Sequence, residues 1–199
     1  MTDRIILASN SAIRQALLRS AGVAFTALPA RVDEVSVRDA LLAESAPPRD
    51  IADALAELKA LKLSDKHPRA LVIGCDQVLA HDGRLLSKPL SPRDALEQLQ
   101  QMRGTAHRLI SAVVVCEGGK PLWRHVGVVK MQMRDLSDTY LEGYVARNWD
   151  SIRHSVGAYK LEEEGVRLFT AITGDYFHVL GLPLLELLGF LTMKGELES

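Results

Sequence analysis

Short apolar runs alternate with amphipathic stretches through the first half of the chain, and strand-like runs dominate its middle. Arg4-Ile5-Ile6-Leu7-Ala8 is apolar on both faces, the pattern of a central strand. Ser9-Asn10-Ser11 supplies helix-capping side chains. Ile13, Leu17 and Leu18 then recur at helical spacing over Ala12–Ala21, and Gly22 stands at the helix stop. Phe25–Val32 reads as a second strand followed by Asp33-Glu34. After the boundary at Pro47-Pro48, Ile51, Leu55, Leu58 and Leu61 predict a helix to about Ser64. Ala70–Cys75 reads as a buried strand ending at Asp76. Val78-Leu79-Ala80 and Arg84-Leu85-Leu86 flank Asp82-Gly83, a hairpin signal.

Ser91-Pro92-Arg93-Asp94 has the form of a helix start, with a stop near Gly104. His107–Cys116 and Trp123–Met133 read as long strands joined through Gly118-Gly119, with a helix from about Ser137 to Arg147. Gly174-Asp175 marks a turn, and Gly181-Leu182-Pro183 opens a last apolar helix. The alternation predicts an α/β fold, a mixed sheet flanked by helices.

Composition narrows the function classes. Lys and Arg number 24 against 25 Asp and Glu, a formal charge of −1. A nucleic-acid coat or a polybasic membrane anchor would need a surplus of cations, so neither is expected. The longest apolar stretch, Leu180–Leu191, is interrupted by Glu186 and falls short of the roughly 20 residues a span needs. No signal peptide is visible at Met1-Thr2-Asp3-Arg4. Cys75 and Cys116 lie far apart with no CxxC pair, the usage of buried free thiols in a reducing compartment. The expected location is cytoplasmic.

Familiar catalytic signatures are missing. The chain has no GxxxxGK[ST], GxGxxG or GxSxG. Its six histidines include no HExxH, and none lies within five residues of another. Chemistry therefore falls to carboxylates and cations. Ser9, Ser11 and Arg14 at a strand-to-helix turn combine hydroxyls, free N–H groups and a helix N-terminus, which suits an anion; they read equally as a plain cap with a surface arginine. Asp76 after a buried strand suits a divalent cation or a proton from water, and reads otherwise as a turn aspartate. Glu34 is a possible second carboxylate or a solvated loop acid. Lys59, Lys88 and Lys160 sit at element ends, as solvated charges or as cations for a polyphosphate.

Taken in order, the segments resemble a known family. Leu7-Ala8-Ser9-Asn10-Ser11-Ala12-Ile13-Arg14 is similar to the opening signature of the Maf nucleotide pyrophosphatases. Asp33-Glu34, Ile73-Gly74-Cys75-Asp76-Gln77-Val78, Lys88-Pro89-Leu90 and Gly104-Thr105-Ala106-His107 follow in family order. Ser155-Val156-Gly157-Ala158-Tyr159, Gly174-Asp175-Tyr176 and Gly181-Leu182-Pro183 complete it. The resemblance covers nearly the whole chain, as one Maf-like domain over residues 1–199.

The resemblance implies a fold related to the inosine triphosphate pyrophosphatases: a long mixed sheet and two lobes around a central cleft. It implies metal-dependent hydrolysis of a nucleoside triphosphate, standard or modified, to the monophosphate and pyrophosphate. The cofactor would be Mg²⁺ or Mn²⁺, and the setting nucleotide house-cleaning in the cytoplasm. Asp76 matches the residue that activates water, and Glu34 an acid beside the metal. Ser9, Ser11, Arg14, Lys59 and Lys88 match the phosphate side. Position 13 departs from the pattern, with Ile13 where many members have a second arginine. Gln77 and Lys160 are closer to the branch acting on 7-methyl-GTP. Glu162, in Glu162-Glu163-Glu164, is a candidate for a guanine edge and reads equally as a surface charge, so base preference stays open. The family also implies a homodimer, and a link to septum formation leaves a non-catalytic nucleotide-binding regulator of cell division as the alternative.

Overall fold

The computed structural model describes residues 4–198; Met1–Asp3, where the absence of a leader was read, lie outside the described residues. Seven strands form one mixed sheet: β1 (Ile5–Leu7), β2 (Thr26–Ala27), β3 (Leu71–His81), β4 (Arg84–Leu86), β5 (Ala106–Glu117), β6 (Lys120–Met133) and β7 (Phe169–Thr173). The order is β2-β1-β3-β5-β6-β7, with β4 paired to β3. β1 pairs parallel with β2 and β3, whereas β3–β4 and β6–β7 are antiparallel. The helices are α1 (Ala12–Ser20), α2 (Glu34–Ala43), α3 (Pro48–Ser64), α4 (Pro92–Met102), α5 (Asp138–Ile152), α6 (Tyr176–Val179) and α7 (Leu184–Met193). This is the α/β class that the alternating pattern predicts, with helices flanking a mixed sheet. Among the described residues, no helix is long and apolar enough to cross a membrane.

The chain divides into two compact units. The first holds the residues up to Asp76, Ser111–Gly127, and those from Gly181 onward; the second holds Gln77–Ile110 and Val128–Leu180. In the first unit, β1 aligns Ile5, Ile6 and Leu7 with Leu71, Val72 and Ile73 of β3. All six are buried, as expected where helices cover both sheet faces. α3 lays Ile51, Leu55, Ala56, Ala60 and Leu63 into this core. Its approach is unusually close at Gly74. A Cβ built there would lie 2.1 Å from the Ala56 carbonyl oxygen and 2.9 Å from the Ala60 Cβ. Glycine on the strand and alanines on the helix are therefore a matched set.

The second unit is built on the β3–β4 hairpin and α4, α5. Its turn residues Asp82 and Gly83 both take positive φ (47° and 75°), as a two-residue hairpin of this twist demands. Leu99, Met102, Leu109, Met131, Met133, Leu141 and Tyr144 fill its core.

Several boundaries differ from the sequence reading. The strand expected over Phe25–Val32 is only Thr26–Ala27, because Pro29 has no N–H for the ladder. Glu34 does not lie in a loop: it opens α2, which is capped by Asp33, whose carboxylate accepts from the Ser36 amide (3.1 Å) and hydroxyl (2.8 Å). α2 buries none of its residues, so it lacks the apolar stripe by which periodicity finds a helix. β3 does not end at Asp76; it runs unbroken to His81, so Asp76 is a mid-strand residue rather than a loop residue. α5 continues to Ile152 instead of stopping near Arg147, and β7 and α6 were not foreseen.

Gly74→Ala should lower unfolding stability by about 3 kcal/mol, the upper part of the usual cost of overpacking, since the obstruction is helix backbone. Urea denaturation of the variant against the parent measures this.

Candidate functional site

The first unit gathers six of the residues singled out in the sequence. β1 hands its register on through the Ala8 amide, which donates to the Ile73 carbonyl at 2.8 Å. The chain then turns into α1. The Ser9 hydroxyl accepts from the Ser11 amide at 3.2 Å, and the Ser11 hydroxyl caps the helix from the Arg14 amide at 3.5 Å. Both hydroxyls are used as acceptors, so each keeps its own proton to donate. Arg14 is committed to backbone. Its Nε donates to the Gly181 carbonyl (2.8 Å) and its Nη1 to the Cys75 carbonyl (3.1 Å). Gly181 has φ of +86°, and a Cβ there would come within 3.0 Å of Nη2. Arginine and glycine thus fit together, and the clamp holds the peptide immediately before Asp76.

Asp76 is 5% exposed and Lys59, reaching from α3, is 8% exposed. The Lys59 ammonium donates to Asp76 Oδ1 at 2.7 Å and lies 3.1 Å from Glu34 Oε2. Glu34 opens α2 and its side chain is about half exposed. Burial pushes the Asp76 carboxyl above the usual carboxylate range; the nearby Lys59 and Arg14 charges pull it back, and Glu34 adds to the rise. A carboxylate so placed is a stronger base than one in water. Burial also pushes the Cys75 thiol up to about 11, so it is inert as a nucleophile.

The two carboxylates are hard oxygen donors already grouped around one positive charge. That donor set suits Mg²⁺ or Mn²⁺, which take oxygen ligands.

The remaining candidates belong to the second unit. Gln77 donates from Nε2 to the carbonyls of His178 and Val179, each at 3.0 Å, and so braces the end of α6. Lys88 is exposed beyond β4. Lys160 donates to the Ser151 hydroxyl at 2.6 Å and lies 3.2 Å from Glu163 Oε1. The Ser151 hydroxyl and Lys160 hold the Glu163 carboxyl below its usual range. Glu162, the proposed base contact, is exposed, while its neighbours Glu163 and Glu164 carry the ion pairs; Glu164 meets Arg147 at 2.7 Å.

Sequence reasoning missed Gly74 and Gly181 as parts of the site. Both lay inside recognised motifs, but nothing in a linear sequence says which side chain their missing Cβ makes room for. It also missed the buried pair in which His107 Nε2 lies 2.7 Å from the Tyr159 hydroxyl.

Lys59→Met should cost about 3–5 kcal/mol near neutral pH, the usual penalty for leaving a buried charge without its partner. The loss should shrink as pH falls and Asp76 takes up a proton. Adding Asp76→Asn should restore part of the stability. Urea midpoints for the three proteins at pH 7 and pH 5 test all of this.

Comparison with known proteins agrees with the order of these motifs. The family model described as Maf-like protein matches residues 4–194. The chain is 67% identical, over the whole of both chains, to a protein of Ruegeria pomeroyi named nucleoside triphosphate pyrophosphatase. It is 65% identical, over 99% of each, to one of the same name from Roseobacter denitrificans. A Brucella abortus protein named 7-methyl-GTP pyrophosphatase is 46% identical over 94% of each. The family match over residues 4–194 and the identities over nearly the whole length lead to one assignment: this chain belongs to the Maf-like protein family.

Proposed function

We propose that this chain is a nucleoside triphosphate pyrophosphatase, releasing a nucleoside monophosphate and pyrophosphate. The observation that carries the reading is the buried Asp76 carboxylate, bonded to Lys59 at 2.7 Å in a unit that also presents Ser9, Ser11 and Arg14. A chain with 67% identity end to end to a protein of that name supports it.

The chemistry follows from the groups present. Lys59 bonds through Oδ1 of Asp76, and base chemistry falls to Oδ2. Asp76 orients a water and takes its proton as the water oxygen attacks the α-phosphorus. The bond from that phosphorus to the bridging oxygen breaks, and pyrophosphate leaves with the electron pair. The raised proton affinity of Asp76 suits this role, because a base works best when its pKa approaches the working pH. The hydroxyls of Ser9 and Ser11, with the N-terminus of α1, bind phosphate oxygens. A divalent cation on Asp76 and Glu34 would supply charge neutralisation on the phosphates and polarise the phosphorus.

A 7-methylated guanine nucleotide is one candidate substrate, since a Brucella abortus protein named 7-methyl-GTP pyrophosphatase is 46% identical to this chain.

Purified protein given a panel of nucleoside triphosphates (7-methyl-GTP, dTTP, UTP and CTP among them) with Mg²⁺ or Mn²⁺ should release pyrophosphate from at least one. Inorganic phosphate alone as product, or full activity in Asp76→Asn, would falsify the reading. Asp76→Asn should lower kcat by about 10²–10⁴-fold, the range for loss of a positioned base. Activity depends on the ionised carboxylate, so kcat/KM should rise with pH. Because burial raises the carboxyl, the midpoint of that rise should lie above the ordinary aspartate value of about 3.9.

A further inference from the structure

The Lys59 ammonium stands where two carboxylates converge, 2.7 Å from Asp76 Oδ1 and 3.1 Å from Glu34 Oε2. Asp76 is almost fully buried and stays ionised only beside a positive charge. In the protein by itself, the charge bonded to it is the lysine. A divalent ion on the same two carboxylates needs the same place. Mg²⁺ sits at about 2.0–2.1 Å from its oxygens, so an ion bonded to Asp76 Oδ1 would crowd an ammonium hydrogen-bonded to that oxygen. The two cations would also repel each other in a site with little water to screen them.

We propose that Lys59 is an internal counter-cation that keeps Asp76 and Glu34 together until a divalent ion arrives, and whose ammonium must withdraw for the ion to bind. The inference rests on the metal reading given above for these carboxylates. The parts differ in mobility as an exchange requires. The backbone of α3 is held against β3 by the close approach of Ala56 and Ala60 to Gly74. The lysine head is carried on a flexible four-carbon stem, so it moves while the helix stays. Glu34, half exposed at the start of α2, faces the solvent from which an ion comes. Lys59 therefore opposes metal uptake even though it stabilises the empty site.

The test is the sign of the change in metal affinity. MnCl₂ is titrated into the full-length protein and into Lys59→Gln and Lys59→Arg. Binding is read by calorimetry and by the electron paramagnetic resonance signal of free Mn²⁺. Lys59→Gln should bind Mn²⁺ about tenfold tighter, which is 1.4 kcal/mol, whereas Lys59→Arg, which keeps the charge, should not gain affinity. Equal or weaker binding by Lys59→Gln overturns the proposal and leaves the pyrophosphatase reading standing if the parent still turns over. Turnover by the parent in excess chelator, with no Mn²⁺ bound, overturns both the metal reading and this one. Where Lys59→Gln does not fold, the parent itself decides. The ¹⁵N resonance of the Lys59 ammonium should shift as MgCl₂ is added, and an unchanged resonance at saturating Mg²⁺ refutes the exchange.

Discussion

A carboxylate is kept charged inside a protein by a cation brought into contact with it. Here that cation is Lys59, and its delivery depends on how closely α3 lies on β3. Gly74 provides the space, and Ala56 and Ala60 fill it with the least bulk available. The spacing is economical. Gly74 is two residues before Asp76, and Lys59 lies on the turn of α3 that also carries Ala56 and Ala60. One backbone contact thus fixes the separation of an acid and a base. A methyl group at position 74 acts on the same separation through the helix backbone rather than through the charges.

The other restraints in the first unit act on the same short segment. Arg14 fixes the carbonyl of Cys75, and Gly181 receives the guanidinium. The serines cap α1 while retaining their protons. Such a site is organised before substrate arrives, which is the condition under which electrostatics contributes most to catalysis. Arg14 is notable in this respect. It was read as a phosphate ligand, and two of its nitrogens prove to be structural.

Much of this was legible in the sequence. Periodicity located α1 and α3, the Ser91-Pro92-Arg93-Asp94 start signal located α4, and the Asp82-Gly83 dipeptide marked the β3–β4 hairpin. The motif order singled out Ser9, Glu34 and Asp76 as candidates, and Lys59 was singled out as a lysine at an element end. What escaped had physical reasons. α2 buries no residue and so leaves no apolar stripe. Asp76 looked like a strand terminator because a lone carboxylate inside a sheet is unfavourable; its partner sits 17 residues upstream, at no regular spacing. The Glu162-Glu163-Glu164 run is chemically uniform in sequence. In the fold, Ser151 and Arg147 give the second and third glutamates separate structural tasks, while the first remains in solvent.

The hydrogen bond from Arg14 to Gly181 has a bearing on synthesis. It joins α1 to the residue that leads into α7, 167 positions away. Chains emerge from the ribosome amino end first. The serine turn and the strand bearing Asp76 are therefore made long before the carbonyl that completes their arginine clamp. A nascent chain released short of Gly181 holds most of its reactive side chains without the brace that aims them. Competence arrives late, once Gly181 has been added.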